Sequence, residues 1–190
     1  MKLLEDRILK DAKIISGTVL KVDSFLNQSI DTELAKELAM EFKRLYGDEE
    51  ITKILTVESS GIGLAAITAL IFEVPLVFAK KTKNIYPSDG ELSSRVTSLT
   101  HGTNYNITLP SYLLSDTDKV LIIDDFLANG SALSALIKLC RKAECEVVGA
   151  GVAIEKSYQR GGSEIRSMGY RVEALAKIKS MESNGKIEFC

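Results

Sequence analysis

Apolar and polar residues alternate along the chain in blocks whose periods predict two units, each made of a strand, a turn, a helix and a second strand. The first unit spans residues 51–81, with a Ser and Gly turn at 59–63, and the second spans residues 119–156. The strands of the second unit are apolar on both faces, as strands are when helices cover both sides of a parallel sheet. The pattern therefore predicts an α/β fold with a doubly wound, mostly parallel sheet flanked by helices.

Shorter elements are predicted on both sides of these units. A charged amphipathic helix is expected at residues 3–13 and an alternating strand at residues 18–26. A second helix begins after the capping residue Asp31 and ends at Gly47. Two short strands are predicted near the end of the chain. We expect them to pair with the strand at 18–26, so that the N- and C-terminal segments build a small β-rich hood over one end of the sheet.

Length and composition indicate one domain. A chain of 190 residues with 45% hydrophobic content supports one well-buried core. We predict a core at about 31–160 and a hood at about 1–30 and 170–190. Between the two units, residues 82–112 are rich in Gly, Pro, Ser, Thr and Asn. Because a loop of this length in a compact domain is usually functional or disordered, we predict a flexible lid there.

Charge and composition argue against several classes of protein. The 24 basic and 26 acidic residues nearly cancel, so no nucleic-acid partner is indicated. No apolar stretch reaches membrane-spanning length, and the first residues lack the apolar region of a signal peptide, so we expect a cytoplasmic protein without a membrane partner. Cys140, Cys145, Cys190 and the single histidine His101 have no ligand-like spacing, which argues against a zinc site or a disulfide scaffold.

An acid pair followed by a turn of small residues is the strongest chemical signal. Asp124 and Asp125 follow an apolar strand, and residues 128–131 form a turn that opens the next helix. Ligands of doubly wound sheets bind beyond the carboxyl ends of the strands. Carboxylates accept hydrogen bonds from sugar hydroxyls and helix N-termini hold phosphate, so the pattern predicts a sugar phosphate site. The alternative is an Asp that only caps the helix, and only one of two consecutive strand residues projects simply into a crevice unless the strand ends between them.

This stretch resembles the motif with which type I phosphoribosyltransferases bind 5-phosphoribosyl 1-pyrophosphate (PRPP). The resemblance continues, in order, through TVLKVDSFLNQSID, ESSGI, VPLVFAKK, LIIDDFLANG and VAIEKSY, and these segments are similar to the bacterial members of the family that use xanthine. It implies a purine-salvage transferase that converts xanthine and PRPP to xanthosine 5'-monophosphate and pyrophosphate. It also implies a homodimer, and a Mg²⁺ ion that arrives bound to PRPP rather than in a preformed protein site.

The resemblance implies roles for individual residues. Asp124 and Asp125 are expected beside the ribose hydroxyls as the catalytic acids. The turn for the 5-phosphate comprises Ala128, Asn129, Gly130, Ser131 and Ala132. The purine base is expected to contact Leu20, Asn27 and Lys156. The pyrophosphate loop comprises Ser59, Ser60, Gly61 and Lys81. Asn129 and Ala132 depart from the wider family, many of whose members have threonine at those two positions.

Several of these residues have a simpler interpretation. Leu20 fits the core of a strand, Asn27 fits a turn, and Lys80 and Lys81 fit a solvated surface equally well. Lys156 is better supported, because it ends an apolar strand at the ligand edge. A cation there suits the oxygen at C6 of a purine, whereas the amino group of adenine presents a donor to a donor.

Two alternative functions stay open from the sequence. One is a phosphoribosyltransferase that prefers hypoxanthine and guanine, or adenine, because the PRPP motif is shared and few residues select the base. The other is a non-catalytic regulator that senses PRPP. Such a regulator needs a DNA-binding module, for which this chain offers only a short N-terminal helix and a net charge of -2.

Overall fold

The structure is a computed structural model that describes residues 1–15, 19–83, 88–97, 104–182 and 184–190. Its helices are α1 (Lys2–Asp11), α2 (Thr32–Tyr46), α3 (Gly61–Phe72), α4 (Ser131–Lys142) and α5 (Gly161–Ser167). Its strands are β1 (Lys13–Ile15), β2 (Val19–Lys21), β3 (Lys53–Val57), β4 (Leu76–Thr82), β5 (Glu91–Thr97), β6 (Asn104–Pro110), β7 (Lys119–Leu127), β8 (Glu146–Lys156), β9 (Val172–Met181) and β10 (Ile187–Phe189). A π-helical turn covers Asp23–Asn27 and a 3₁₀ turn covers Ser111–Leu113. Among the described helices, none is long and apolar enough to cross a membrane.

The central sheet has eight strands in the order β10-β9-β8-β7-β3-β4-β6-β5. The five strands from β9 to β4 run parallel, whereas β10, β6 and β5 are antiparallel to their neighbours. The two predicted strand, helix, strand units are β3-α3-β4 and β7-α4-β8. The predicted doubly wound, mostly parallel sheet flanked by helices is thereby confirmed.

Successive residues of the central strands enter two different apolar clusters. Leu121 and Ile123 pack with residues of α1, α2 and α3, whereas Val120 and Ile122 pack with residues of α4 and α5. Because strand side chains alternate between faces, this is the burial expected when helices cover both sides of a sheet. Full burial of each of these side chains stabilises the fold by about 1.5–3 kcal/mol. The core therefore holds β3, β7 and β8 in place, and the ligand edge with them.

The helix predicted after Asp31 is confirmed. The Asp31 side chain accepts a hydrogen bond from the Leu34 amide at 3.1 Å, which satisfies one of the free N–H groups of the first turn. The helix ends at Tyr46 and Gly47 follows as its C-cap. Leu38 is buried and packs in the same apolar cluster as α3. The local capping signals therefore predicted both ends of α2 correctly.

The strand pairing predicted for the hood is wrong. Val19–Lys21 is the only part of the predicted strand at 18–26 that is extended in the described residues, and it pairs with β1. Thr18 lies outside the described residues. The two C-terminal strands instead extend the central sheet, because β9 pairs with β8 and β10 pairs with β9. The terminal segments meet through side chains, since residues of α1, β2 and β9 share one apolar cluster.

The interval predicted as a loop at residues 82–112 mostly forms strands. Glu91–Thr97 and Asn104–Pro110 pair with each other, and the second of them pairs with β4. Val96 and Ile107 are buried against residues of α4. This packing stabilises the two strands, although the polar composition of the interval suggested a loop. Residues 84–87 and 98–103 of the interval lie outside the described residues. Its role as a lid stays a prediction.

Candidate functional site

The acid pair lies at the carboxyl end of β7. The strand continues through Asp124 and Asp125 to Leu127, so it does not end between the two acids. Both side chains are nevertheless drawn toward the same helix corner. Oδ1 of Asp125 accepts a hydrogen bond from the Ser60 hydroxyl at 3.1 Å, and Oδ1 of Asp124 accepts one from the Asp125 amide at 3.0 Å. The same Asp124 oxygen lies beside Gly61, the first residue of α3.

Asp124 holds its proton more tightly than an ordinary carboxyl. Burial raises the pKa of Asp124 well above its usual value, the neighbouring charge of Asp125 adds to this, and the Lys81 ammonium acts in the opposite direction. Both acids are nearly inaccessible, with 6% and 5% of their surfaces exposed. A site built this way responds strongly to a ligand that supplies hydroxyl donors or a cation, because such a ligand stabilises the charged carboxylates.

Gly61 permits the close approach of α3 to this acid pair. A Cβ at Gly61 would lie 2.8 Å from Oδ1 of Asp124 and would also collide with Oγ1 of Thr56. Thr56 is fully buried, and its hydroxyl has no hydrogen-bond partner among the described residues. The first residue of α3 therefore has to be a glycine for steric reasons, and its neighbours are polar oxygens rather than apolar atoms.

The predicted pyrophosphate loop is the corner between β3 and α3. Ser59 and Ser60 immediately precede the helix, and the Glu58 carboxylate accepts a hydrogen bond from the Lys81 amide at 2.5 Å. This bond ties the corner to the end of β4. Lys81 influences Asp124 electrostatically, whereas Lys80 lines a groove with Phe78 on the opposite face of the strand. Of the two lysines left open by the sequence, the structure therefore brings Lys81 to the acid pair.

Tyr105 lies beside Lys81, and the sequence pattern did not predict it as a candidate site residue. It lies on β6, and the Lys81 ammonium is 5.7 Å from the centre of its ring. Burial and the charge of Asp124 raise the pKa of Tyr105. The signal was weak, because the segment Asn104–Pro110 alternates polar and apolar residues only over a short distance inside an interval rich in Ser and Thr. Strand pairing with β4, which is a long-range contact, brings this tyrosine to the site.

The predicted phosphate turn joins β7 to α4. Gly130 has a left-handed backbone with φ of 77° and directly precedes the first residue of α4. The Asn129 side-chain oxygen accepts a hydrogen bond from the Ser131 amide at 3.0 Å, which leaves the Asn129 NH₂ group as a donor. Ala128, Asn129, Ser131 and Ala132 are partly exposed. The turn therefore presents backbone N–H groups at a helix N-terminus, an arrangement that binds anions.

The three residues predicted to contact a base lie in different elements. Lys156 ends β8, and its ammonium lies 5.8 Å from the centre of the Phe126 ring. Burial lowers the pKa of Lys156. Leu20 is buried in the apolar cluster against which Phe126 packs. Asn27 ends the π-helical turn, and its buried side-chain oxygen has no hydrogen-bond partner among the described residues. Phe126 was not predicted, since its position inside the motif looks like ordinary strand core.

Comparison with known proteins places this arrangement in context. The phosphoribosyl transferase domain family matches residues 22–177. The chain is 49% identical over 190 residues to the xanthine phosphoribosyltransferase of Lachnoclostridium phytofermentans, covering 100% of this chain and 98% of that protein. It is 48% identical over 189 residues to the xanthine phosphoribosyltransferase of Clostridium novyi, with 100% and 99% covered.

Solved structures of related enzymes share the fold. The APRTase of Giardia lamblia in complex with 9-deazaadenine superposes with a TM-score of 0.78 at 22% identity, covering 92% of this chain and 97% of that chain. The adenine phosphoribosyl transferase of Trypanosoma brucei, in complex with AMP, pyrophosphate and ribose-5-phosphate, gives a TM-score of 0.76 at 18% identity, with 92% and 79% covered. At these identities the likeness concerns the fold alone.

Proposed function

Because this chain belongs to the phosphoribosyltransferase family, we propose that it converts xanthine and PRPP to xanthosine 5'-monophosphate and pyrophosphate in purine salvage. One observation carries the proposal. The buried acid pair lies near the end of β7, the phosphate turn follows that strand directly, and Lys156 ends the neighbouring strand β8. The names of the relatives at 48–49% identity support xanthine as the base.

In this reaction a ring nitrogen of the base forms a bond to C1 of the ribose while the bond from C1 to the pyrophosphate oxygen breaks. Pyrophosphate leaves with the electron pair, and the base nitrogen loses its proton to water. The protein positions both reactants and stabilises the charge that develops on the leaving group. No protein nucleophile is needed, which agrees with a site made of acids, amides and lysines.

Each part of the site has a role in this proposal. The turn at residues 128–132 holds the 5-phosphate through backbone N–H groups other than that of Ser131, which donates to the Asn129 side chain. Asp124 and Asp125 accept hydrogen bonds from the ribose hydroxyls. The corner formed by Ser59, Ser60 and Gly61 holds pyrophosphate together with Lys81. Lys156 donates to the oxygen at C6 of the base, Asn27 and Leu20 contact its other edges, and Phe126 forms an apolar wall beside the lysine.

The residues present also fit a Mg²⁺ ion that arrives with PRPP. Asp124 and Asp125 supply carboxylate oxygens, which are the ligands that Mg²⁺ prefers. Within the described ranges, no group of three or more His, Cys, Asp or Glu residues is arranged to hold a metal ion. This suits an ion whose remaining ligands come from PRPP and water. When bound, Mg²⁺ neutralises negative charge on the pyrophosphate group.

The proposal extends to assembly, location and domain organisation. A homodimer is supported by the open groove that Phe78, Pro110 and Leu113 line beside the antiparallel strands, since an exposed apolar surface is typical of an interface.

The three free cysteines suit a protein of the reducing cytoplasm. The β5 and β6 hairpin is the part of the predicted lid that carries Tyr105. We propose that the chain forms a single domain, with a core at about 31–160 and terminal segments that pack together at one end.

The decisive experiment offers each base in turn to the full chain. The protein is incubated with PRPP, Mg²⁺ and xanthine, hypoxanthine, guanine or adenine, and the nucleotide product is separated and quantified. We expect xanthine to give the highest kcat/KM and adenine the lowest. A site built on hydrogen bonds rejects an analogue that leaves its own groups unpaired, by up to ~10⁴-fold.

Lys156→Gln tests the basis of this selectivity. The amide can still donate but also accepts, so discrimination against adenine should fall, whereas the exposed Lys138→Gln should behave like the parent. Adenine as the best substrate of the parent would contradict the 6-oxopurine site. Preference for hypoxanthine or guanine would keep the chemistry and overturn the choice of xanthine, and no nucleotide with any base would overturn the function.

A further inference from the structure

The N-terminus of α5 lies directly against the phosphate turn. The Gly161 amide donates a hydrogen bond to the Ala128 carbonyl at 3.2 Å. A Cβ at Gly161 would collide with the Ala128 oxygen and the Gly130 nitrogen, and it would lie 2.6 Å from the Asn129 carbonyl carbon. The contact is reciprocal, because a Cβ at Gly130 in the turn would lie 2.9 Å from the Gly161 Cα. Two stretches of backbone therefore touch with no side chain between them.

An ion pair between a partly exposed arginine and a buried carboxylate holds α5 in this position. Glu155, which is only 4% exposed, receives two hydrogen bonds of 2.7 Å from the guanidinium of Arg166 on α5. The same guanidinium donates to the Val172 carbonyl at 3.1 Å. Bidentate pairs of this kind fix orientation as well as distance. The helix is thereby anchored to β8 and β9, which are rigid parts of the sheet.

Gly162 provides a contrast within the same helix. A Cβ there would meet the Glu155 carboxylate and lie 2.6 Å from Nη1 of Arg166. These atoms belong to the Glu155–Arg166 ion pair, so a methyl group at Gly162 would disturb the anchor of α5. The atoms that face Gly161 belong to the backbone of the turn, and they move only if the turn changes shape. The two glycines therefore differ in what a methyl group would displace.

We propose that Gly161 is a positioning residue for PRPP, because its bare backbone sets the shape of the turn that holds the 5-phosphate. The inference rests on the proposed function, since it takes the phosphate of PRPP as the ligand of the turn. The N–H groups of the turn bind phosphate well only when they point at its oxygens, and hydrogen bonds weaken steeply with poor angles. An α5 that presses on the turn keeps those groups aimed before the ligand arrives.

The test compares Gly161→Ala with Gly169→Ala in the full chain, because a Cβ at Gly169, just after α5, meets nothing within 4 Å. For Gly161→Ala we expect the KM for PRPP and the Kd for ribose 5-phosphate to rise by about ten- to hundredfold, because a displacement of about 1 Å can cost that much. The KM for xanthine at saturating PRPP should change less than about threefold. Gly169→Ala should lower the Tm, because Gly169 has a left-handed backbone with φ of 90°, while leaving both PRPP and ribose 5-phosphate binding close to the parent.

Two results would overturn the inference. One is a folded Gly161→Ala variant with the parent's KM for PRPP. The other is an equal loss of PRPP affinity in both variants, which would assign the effect to the stability of α5. Ribose 5-phosphate binding is measured separately from activity. If the parent has no transferase activity, the proposed function is refuted, but the Kd values of parent and Gly161→Ala for ribose 5-phosphate still test the role of Gly161.

A measurement on the parent keeps the inference testable if Gly161→Ala does not fold. Titration with ribose 5-phosphate in an amide NMR spectrum should shift the Gly161 signal together with those of residues 129–131, because the Gly161 amide is bonded to the turn. The Gly169 amide, on a glycine whose Cβ position is open, is the internal control. Shifts in the turn with an unmoved Gly161 signal would refute the coupling.

Discussion

The corner between β3 and α3 and the turn between β7 and α4 lie on neighbouring parallel strands at one edge of the sheet. Side chains surround the first: the Ser60 hydroxyl bonds to Asp125, and Gly61 faces polar oxygens. Backbone surrounds the second, where Gly130 faces Gly161. In the proposed function, one sheet edge therefore binds two anionic groups by different means. Changes of charge should act on the first corner, and changes of shape on the second.

The largest effect is expected from Gly130→Ala, with Gly90→Ala as its matched control. The two glycines have φ of 77° and 78°, but a Cβ at Gly90 meets nothing within 4 Å. The left-handed backbone should cost each variant about 1–2 kcal/mol. Gly130→Ala should cost a further 1–3 kcal/mol, roughly, because the methyl group is forced against Gly161. Urea unfolding midpoints measure both losses, and equal losses would refute the tight packing at the turn.

The second effect concerns the charged corner. Asp125→Asn keeps the shape of the side chain but removes the charge that accepts from the ribose hydroxyls. Hydrogen bonds to charged groups contribute about 1.5–3 kcal/mol, so kcat/KM for PRPP should fall by roughly 10- to 150-fold. PRPP with Mg²⁺ at a hundredfold excess over Kd should stabilise the parent by about 2.7 kcal/mol, and the variant much less at the same concentration.

The exposed Asp116→Asn serves as the control for this substitution, and it should bind PRPP like the parent. An Asp125→Asn variant with the parent's shift in Tm would show that the acid pair does not hold the ribose.

The third effect is a pH dependence at Lys156. Burial lowers the pKa of Lys156 below its ordinary value of 10.5. Between the folded and the ordinary pKa the unfolded chain holds a proton that the folded chain lacks, so this residue makes stability rise with pH in that window. The Tm of the parent minus the Tm of Lys156→Gln, measured from pH 8 to 11, should therefore increase as pH rises. A difference that is constant with pH would contradict the shifted pKa.

The smallest effect is expected at Tyr105, which links the β6 strand to the charged corner. Tyr105→Phe keeps the ring beside Lys81 and should change the KM for pyrophosphate in the reverse reaction by less than about twofold. Tyr105→Leu removes the cation–π contact, whose strength is about 0.5–1 kcal/mol at exposed sites, and should raise that KM by roughly two- to fivefold. Equal KM values for the two variants would show that the ring does not position Lys81.

The parts of the fold that were predicted correctly have local signals. The strands of both units are apolar runs, and Asp31 and Gly47 mark the ends of α2 within a few residues of sequence. The hairpin of β5 and β6 was missed because its buried positions include Ser94, and because the Gly and Pro residues around it suggested a loop. Its burial depends on α4, which begins at Ser131, whereas β5 ends at Thr97.

The candidate site also combines features that local sequence predicts with features that depend on long-range contacts. The sequence by itself determined the fold class and the positions of the acid pair and of the turn before α4, because strand period, helix capping and a flexible glycine act over a few neighbouring residues. Only the tertiary structure decided that the charge of Lys81 acts on Asp124 while Lys80 lies beside Phe78, that Tyr105 lies near Lys81 and Phe126 near Lys156, and that the C-terminal strands extend the central sheet. Gly161 reaches the turn for the same reason: contacts between distant segments depend on strand order and packing, which no local pattern encodes.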